Sequence, residues 1–375
     1  MWHNGALKVF WLFNHPAPYK VDFFNALGQY CDLDVLFERS SEKGRNSIFY
    51  SEKPLHFTAH VAHSIYLGGI DNYTTAPISY LKKNRYDIIV LNGWRTLTEQ
   101  KTIRYCQKKG IPYLFYINGG ILNENEPRWL KKLKTRCISG ATAYLCPDKT
   151  SAKYLRYYGA DSNAITIYPY SSIFERQVLP HVLSKEEKEE IRKELGLEGR
   201  HIYISSGQFI ERKNFEELIR LWAKMPQEDT LYITGEGPLR RKYERMRKQI
   251  GEKNFHLLPY QPHSKLFRLF QACDGFVFLS KYDIYGHVIN EALSQGLPVV
   301  AGDNINAAKH LIENGKNGYV LPLSDREGIL NAMQEILKPS FAEEALKTAS
   351  VNTIDKSAEF HFHYLEQYLK EHPLP

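Results

Sequence analysis

Two successive series of short apolar segments, each segment followed by a stretch of helical periodicity, constrain this chain more than any other feature. Over the first 170 residues the apolar runs are LKVFWLF from Leu7, LDVLF from Leu33, YDIIVLN from Tyr86, IPYLFYI from Ile111 and ATAYLC from Ala141. Helical spacing falls between them, over residues 19–30, 75–84, 96–109, 127–138 and 148–158. Runs that are apolar throughout suit strands covered on both faces, so the pattern predicts a parallel sheet flanked by helices. Residues 175–200, ERQVLPHVLSKEEKEEIRKELGLEGR, interrupt it with charge and few strand formers, as a linker leading into a surface helix would. The alternation resumes with HIYISSG from His201, LYITGEG from Leu231, FHLLPY from Phe255, GFVFLS from Gly275, LPVVAG from Leu297 and GYVLPL from Gly318. The expectation is an α/β protein of two doubly wound domains in tandem, residues 1–180 and 181–352, with ligand at the carboxyl ends of the strands in the cleft between them. A length of 375 residues suits two such domains. The last segment, residues 353–371, reads as a helix with Phe360, Tyr364 and Tyr368 on one face; no strand follows it, so it must pack on something already built.

Charge and cysteine usage narrow the class. The net charge is +7, and residues 81–160 hold the excess, with 16 Lys and Arg against 5 Asp and Glu. The five cysteines lack CxxC spacing and lie in hydrophobic segments, which predicts reduced, buried thiols in a cytoplasmic protein. No stretch approaches the ~20 apolar residues a spanning helix needs, and Lys8 inside the first apolar run argues against a secretory signal.

The most specific stretch is Asp283-Ile-Tyr-Gly-His-Val-Ile-Asn-Glu291-Ala-Leu-Ser-Gln-Gly-Leu-Pro-Val-Val-Ala301. A strand ending at Ser280 leads to a loop carboxylate and then to Gly286 at a helix start. Amides there favour phosphate, and a glycine lets a diphosphate approach the backbone closely. Glu291 lies about 7.5 Å further along the axis, at a reach suited to ribose hydroxyls, while Asp283 faces whatever the diphosphate carries. Lys213 sits at another helix start, where a cation is unfavourable unless an anion joins it.

Two carboxylates at this separation followed by EALSQGLPVVAG, together with SGQFIERKN from Ser206, GEGP from Gly235 and ENGKNGYVLP from Glu313, resemble the motifs of the family 4 retaining glycosyltransferases. The resemblance covers most of the chain. It implies the GT-B architecture of two facing Rossmann-like domains, a final helix that crosses back onto the first, a nucleoside diphosphate sugar as donor, and catalysis without a metal or other cofactor. It places the donor in the second domain, around Gly207, Gln208, Arg212, Lys213, Tyr260, Gly286, His287, Val288 and Glu291, with Asp283 on the sugar. The acceptor falls to the first domain, where His15 and Tyr19 follow the first strand and Asn118, Gly119 and Gly120 follow a later one. The chain departs from the family pattern at three of these positions. Asp283 stands where Glu is usual, Gln208 where Arg is common, so the diphosphate falls to Lys213 with Arg212, and Asn118 where His is frequent. An asparagine orients a hydroxyl but is no base.

Two other patterns mislead. Asp32-Leu33-Asp34 has DxD spacing but lies at the start of an early strand, not its exit. His361 and His363 are two apart and fall on different sides of a helix, unsuited to a shared metal. No GxGxxG follows the first strand, which removes the dehydrogenase fingerprint.

In PRWLKKLKTRCIS from Pro127, Trp129, Leu130, Leu133 and Cys137 form an apolar stripe bordered by Arg128, Lys131, Lys132, Lys134 and Arg136. The pattern fits a helix lying on an anionic membrane, with Arg128, Trp129, Lys131 and Lys132 facing lipid, and equally a core-facing stripe with a solvated basic face. No nucleic-acid-binding module accompanies the charge. The expectation is a peripheral enzyme of the inner membrane face that moves a hexosyl group onto a lipid-linked glycan, as in bacterial capsule, exopolysaccharide or O-antigen assembly. A nucleotide-sugar epimerase and a catalytically silent sugar-nucleotide-binding module of the same fold are the alternatives.

Overall fold

The computed structural model describes residues 7–41, 53–67, 70–250 and 254–372. The chain divides into two compact units, residues 1–171 with 354–375, and residues 172–353. The first division falls at Ser171/Ser172 rather than near residue 180, because residues 172–179 are bonded into the second unit: the Leu179 amide donates to the Ser294 carbonyl at 2.9 Å, and the Gln295 side chain to the Gln177 carbonyl at 2.8 Å.

In the first unit the strands are β1 (Lys8–Phe13), β2 (Asp32–Phe37), β3 (Thr58–Val61), β4 (Ile65–Leu67), β5 (Ile70–Tyr73), β6 (Ile88–Asn92), β7 (Leu114–Tyr116), β8 (Ala143–Cys146) and β9 (Ile165–Ile167). Seven of them form a parallel sheet in the order β3-β2-β1-β6-β7-β8-β9, while β4 and β5 pair as an antiparallel hairpin. Register aligns Val9 of β1 with Leu33 of β2 and Ile88 of β6. Phe10, Trp11 and Leu12 are fully buried, as a strand covered on both faces requires. All five predicted strands are present; β3, β9 and the hairpin are additions that the apolar pattern does not signal. β3 and β9 are short edge strands, and their residues are half-buried or exposed.

Helices begin and end where local chemistry allows. Leu97–Lys109 opens on a capping box between Thr96 and Glu99 and closes on Gly110 in the left-handed region. The final helix, Ile354–Glu371, packs against Pro18–Leu27 within the first unit. Its buried side is lined by Ile354, Ser357, Ala358, His361, Leu365 and Tyr368, so the covered face is rotated from the expected one and leaves Phe360 and Tyr364 half-buried at its margin.

The second unit holds β10 (Ile202–Ser206), β11 (Thr230–Thr234), β12 (Phe255–Leu258), β13 (Gly275–Phe278), β14 (Val299–Gly302) and β15 (Gly318–Leu321), parallel in the order β12-β11-β10-β13-β14-β15. Phe215, Leu218, Ile219 and Trp222 of the helix Phe215–Trp222 are buried together, as their spacing predicts. All five cysteines are buried and unpaired.

Candidate active site

In the second unit β10 lies between β11 and β13, so the strand order reverses there and the connections from β10 and β13 diverge. Such a switch point leaves a crevice at the carboxyl ends of the strands. The segment after β10 turns through Glu211–Lys213 and reaches its next helix through Asn214, whose φ of +55° is the only positive value at a non-glycine among the described residues. The Asn214 side chain donates through Nδ2 to the Leu279 carbonyl at 3.0 Å, and the Ser280 hydroxyl to the Arg212 carbonyl at 3.0 Å. The segments after β10 and β13 are thus laced to each other.

That lacing sets three charged side chains together. Lys213 Nζ lies 2.5 Å and Arg212 Nη1 3.0 Å from the same oxygen of Asp283, Oδ2. Burial pushes the Asp283 carboxyl up, but Lys213 and then Arg212 pull it below the usual carboxylate range, so it stays ionised at neutral pH. Lys213 also lies 4.6 Å from the centre of the Phe278 ring. Two cations share one carboxylate, an arrangement able to release positive charge to an incoming diphosphate.

Gly286 has φ +101°, and a Cβ there would come within 2.9 Å of Ile305 Cγ2. The glycine is therefore required by its own backbone and by Ile305, irrespective of any ligand. The helix that begins at Val288 after His287 runs only to Ser294, seven residues, so its dipole is that of a short element. Gln208 is exposed beside Gly207, and Tyr260, just past β12, is 66% exposed.

Glu291 forms a second grouping. Its Oε1 accepts from the Ser172 hydroxyl at 2.8 Å and lies 3.6 Å from His263 Nε2. Burial pushes this carboxyl up, while His263, Ser172 and the charge of His287 bring it below the usual range. Neither Ser172 nor His263 is signalled by a motif, although His263 opens the helix that follows β12 and so sits at the strand-end side of the sheet.

In the first unit Asn118 lies past β7. Its amide donates to Asn92 Oδ1 at 3.3 Å, and its oxygen accepts from the Tyr170 hydroxyl at 3.2 Å. The Tyr19 ring lies 6.2 Å from that of Tyr170, which links the segment after β1 to Asn118. His15 is buried, and its amide is held by Asn14 Oδ1. Gly119 follows Asn118, and a Cβ on Gly120 would fall 2.6 Å from Tyr154, so only glycine fits there. Beneath this region Lys20, 1% exposed, donates to the Tyr116 hydroxyl at 2.7 Å among the rings of Phe13, Tyr19, Phe23, Tyr116 and Tyr170.

On the helix Arg128–Ile138, Trp129 is 69% exposed, and Arg128, Lys131 and Lys132 are exposed beside it. The buried stripe is Cys137 and Ile138 with half-buried Leu130 and Leu133, so Trp129 stands outside it. Lys134 is no border cation: it is buried, pairs with Glu126 and donates to the Tyr158 hydroxyl at 3.0 Å. Among the described residues no helix is long and apolar enough to cross a membrane, and no three His, Cys, Asp or Glu side chains gather as metal ligands.

Residues 187–352 match the family described as Glycosyl transferases group 1. A lipopolysaccharide core biosynthesis glycosyltransferase of Rhizobium meliloti, LpsE, is 29% identical over 39% of this chain. The match covers 41% of that relative, so the chain spans about two fifths of its length. An Escherichia coli enzyme named UDP-Gal:alpha-D-GlcNAc-diphosphoundecaprenol alpha-1,3-galactosyltransferase is 24% identical over 68% of this chain and 67% of its own. Among solved structures, HepE of Anabaena in complex with UDP superimposes with a TM-score of 0.75 at 15% identity, over 97% of this chain and all of HepE. The chain has the GT-B fold.

Proposed function

We propose that this chain, whose residues 187–352 match the family described as Glycosyl transferases group 1, moves a hexosyl group from a nucleoside diphosphate sugar to the hydroxyl of a lipid-linked glycan, with retention of anomeric configuration. The observation that carries the reading is the convergence of Lys213 and Arg212 on Asp283 at the switch point of the second sheet. As the glycosidic bond breaks, negative charge accumulates on the departing diphosphate. Lys213 and Arg212 turn from Asp283 to that charge, and Asp283 is left to orient the sugar hydroxyls. Glu291 takes the ribose. The bond from the anomeric carbon to the diphosphate oxygen breaks, the acceptor oxygen bonds to the same face, and the acceptor proton passes to a donor phosphate oxygen. Asn118, an orienting group, then has no proton to remove, and the reaction is proposed to run without a metal.

The first unit would hold the acceptor near Asn118 and Tyr19. Exposed Trp129 with Arg128, Lys131 and Lys132 suits an anionic membrane surface, where a lipid-linked acceptor resides. The reading places the chain at the inner face of a bacterial membrane. HepE was solved with UDP, and the E. coli relative is named for UDP-galactose and a diphosphoundecaprenol acceptor, which puts uridine donors first in any panel.

The test is nucleoside diphosphate release from UDP-, GDP- and dTDP-sugars, in EDTA, with and without membranes bearing polyprenyl-linked glycans. Release from one donor only in the presence of acceptor membranes supports the reading. In Lys213→Ala that rate should fall by about 100-fold or more, on the scale of a lost preorganised charge donor. Binding without release under every condition would sink it.

A further inference from the structure

The carboxylate of Glu291 is held unevenly. Its side chain is 14% exposed, and both of its close partners act on one oxygen. Oε1 accepts from the Ser172 hydroxyl at 2.8 Å and lies 3.6 Å from His263 Nε2, while among the described residues no hydrogen bond is made to Oε2. The two partners come from separate places in the second unit: Ser172 is its first residue, 119 positions from Glu291, and His263 opens the helix after β12. The backbone beneath is also fixed, since the Glu291 amide donates to the His287 carbonyl at 3.0 Å and the neighbouring Asn290 side chain donates to the Asn352 carbonyl at 2.7 Å. Two groups on one oxygen lock the rotation of the carboxylate plane and leave the second oxygen as an acceptor. An acceptor with a fixed plane suits a vicinal diol, because a hydroxyl reaching it need not order a rotating carboxylate first.

We infer that Ser172 and His263 are positioning residues that hold Glu291 by Oε1 so that Oε2 accepts from the ribose diol of the bound nucleotide. The inference rests on the reading of Glu291 as the ribose ligand given above. It assigns no proton transfer to either residue. It also makes a specific demand on the energetics: removing the anchors loses discrimination for the ribose hydroxyls and leaves the affinity for the rest of the nucleotide intact.

The experiment is calorimetric titration of the full chain with two pairs of probes, UDP with 2′,3′-dideoxy-UDP and GDP with 2′,3′-dideoxy-GDP, taking the ratio of dissociation constants within the pair that binds more tightly. A hydrogen bond to a charged group predicts a wild-type ratio of about 10 or more. In Ser172→Ala and in His263→Gln the ratio should fall at least threefold. In the double variant it should approach that of Glu291→Gln, with the dideoxy affinity unchanged in every case. Ser172→Thr, which keeps the hydroxyl, should restore the wild-type ratio. Unchanged dideoxy binding also shows that the variants are folded. A wild-type ratio well above 1 that persists in Ser172→Ala and His263→Gln would overturn the inference and leave the ribose role of Glu291 standing. A wild-type ratio near 1, or no binding of either pair, would overturn the ribose reading and the inference with it.

Discussion

His361 sits fully buried against Trp11, Phe23, Tyr116 and Tyr168, and its Nδ1 donates to the Ser357 carbonyl at 2.6 Å. Burial pushes its pKa down to about 3, opposed by that hydrogen bond, so the ring is neutral in the folded chain. In the unfolded chain it takes a proton near pH 6.5. Between about 6.5 and 3 the unfolded state therefore binds more protons, and stability falls as the solution is acidified, by about 1.4 kcal/mol per pH unit from this residue alone. Unfolding free energies from urea titrations at pH 7, 6, 5 and 4 should fall with acidification in wild type, and between pH 6 and 4 the fall should be shallower in His361→Gln by about 1.4 kcal/mol per pH unit. Asp283 invites a second prediction at this scale. Lys213 and Arg212 both pair with its Oδ2; on the proposed reading it competes with a diphosphate for them, and Asp283→Asn should then bind nucleoside diphosphate at least as tightly as wild type while losing transfer by about 100-fold or more. Weaker binding by titration would mean that Asp283 organises the cations rather than opposing the ligand.

The helix Arg128–Ile138 separates two kinds of lysine within one turn and a half. Lys134 is buried against Glu126 and Tyr158, whereas Lys132 is exposed with Trp129, and Lys131, also exposed, donates to the Tyr157 hydroxyl at 2.9 Å. Lys134→Ala should cost about 1 to 3 kcal/mol in urea unfolding, the penalty of leaving buried partners unsatisfied, while Lys132→Ala should change stability by less than about 0.5 kcal/mol. Sedimentation with anionic vesicles should reverse the ranking: Trp129→Ala with Lys132→Glu should reduce binding, and salt should reduce it in wild type. The same helix shows where sequence reading succeeds and fails. Spacing locates the element to within a residue at each end but puts Trp129 in the apolar stripe, since periodicity cannot tell which apolar side chain the neighbouring elements leave uncovered. Likewise β1, β2, β6, β7 and β8 are legible because they are apolar on both faces, and the edge strands β3 and β9 are not, because they lack that signal. Lys213 and Asp283 are legible from the motifs that follow two apolar strands, while the pairing of those strands, β10 with β13, is not. Ser172 and His263 reach Glu291 from 119 and 28 positions away, and only the fold brings them there.

Across the whole chain, donor chemistry is assigned to one unit and acceptor chemistry to the other, and this division can be tested without a product. Hydrogen exchange with saturating UDP should show its strongest protection in residues 205–214, 258–264 and 279–295. Strongest protection within residues 7–171 would contradict the assignment. Ligand at 100 times its dissociation constant should also raise stability by about 2.7 kcal/mol. The central claim, however, is that the Asp283 centre passes a sugar to an acceptor on the face the diphosphate vacates. Its most direct test is the anomeric configuration of the glycan formed on a polyprenyl diphosphate acceptor, read from the proton coupling of the new linkage by NMR. The account predicts an α-linked product from an α-configured nucleotide donor, formed in EDTA and absent with Glu291→Ala. A β-linked product, or a converted sugar nucleotide with no new glycoside, would contradict it.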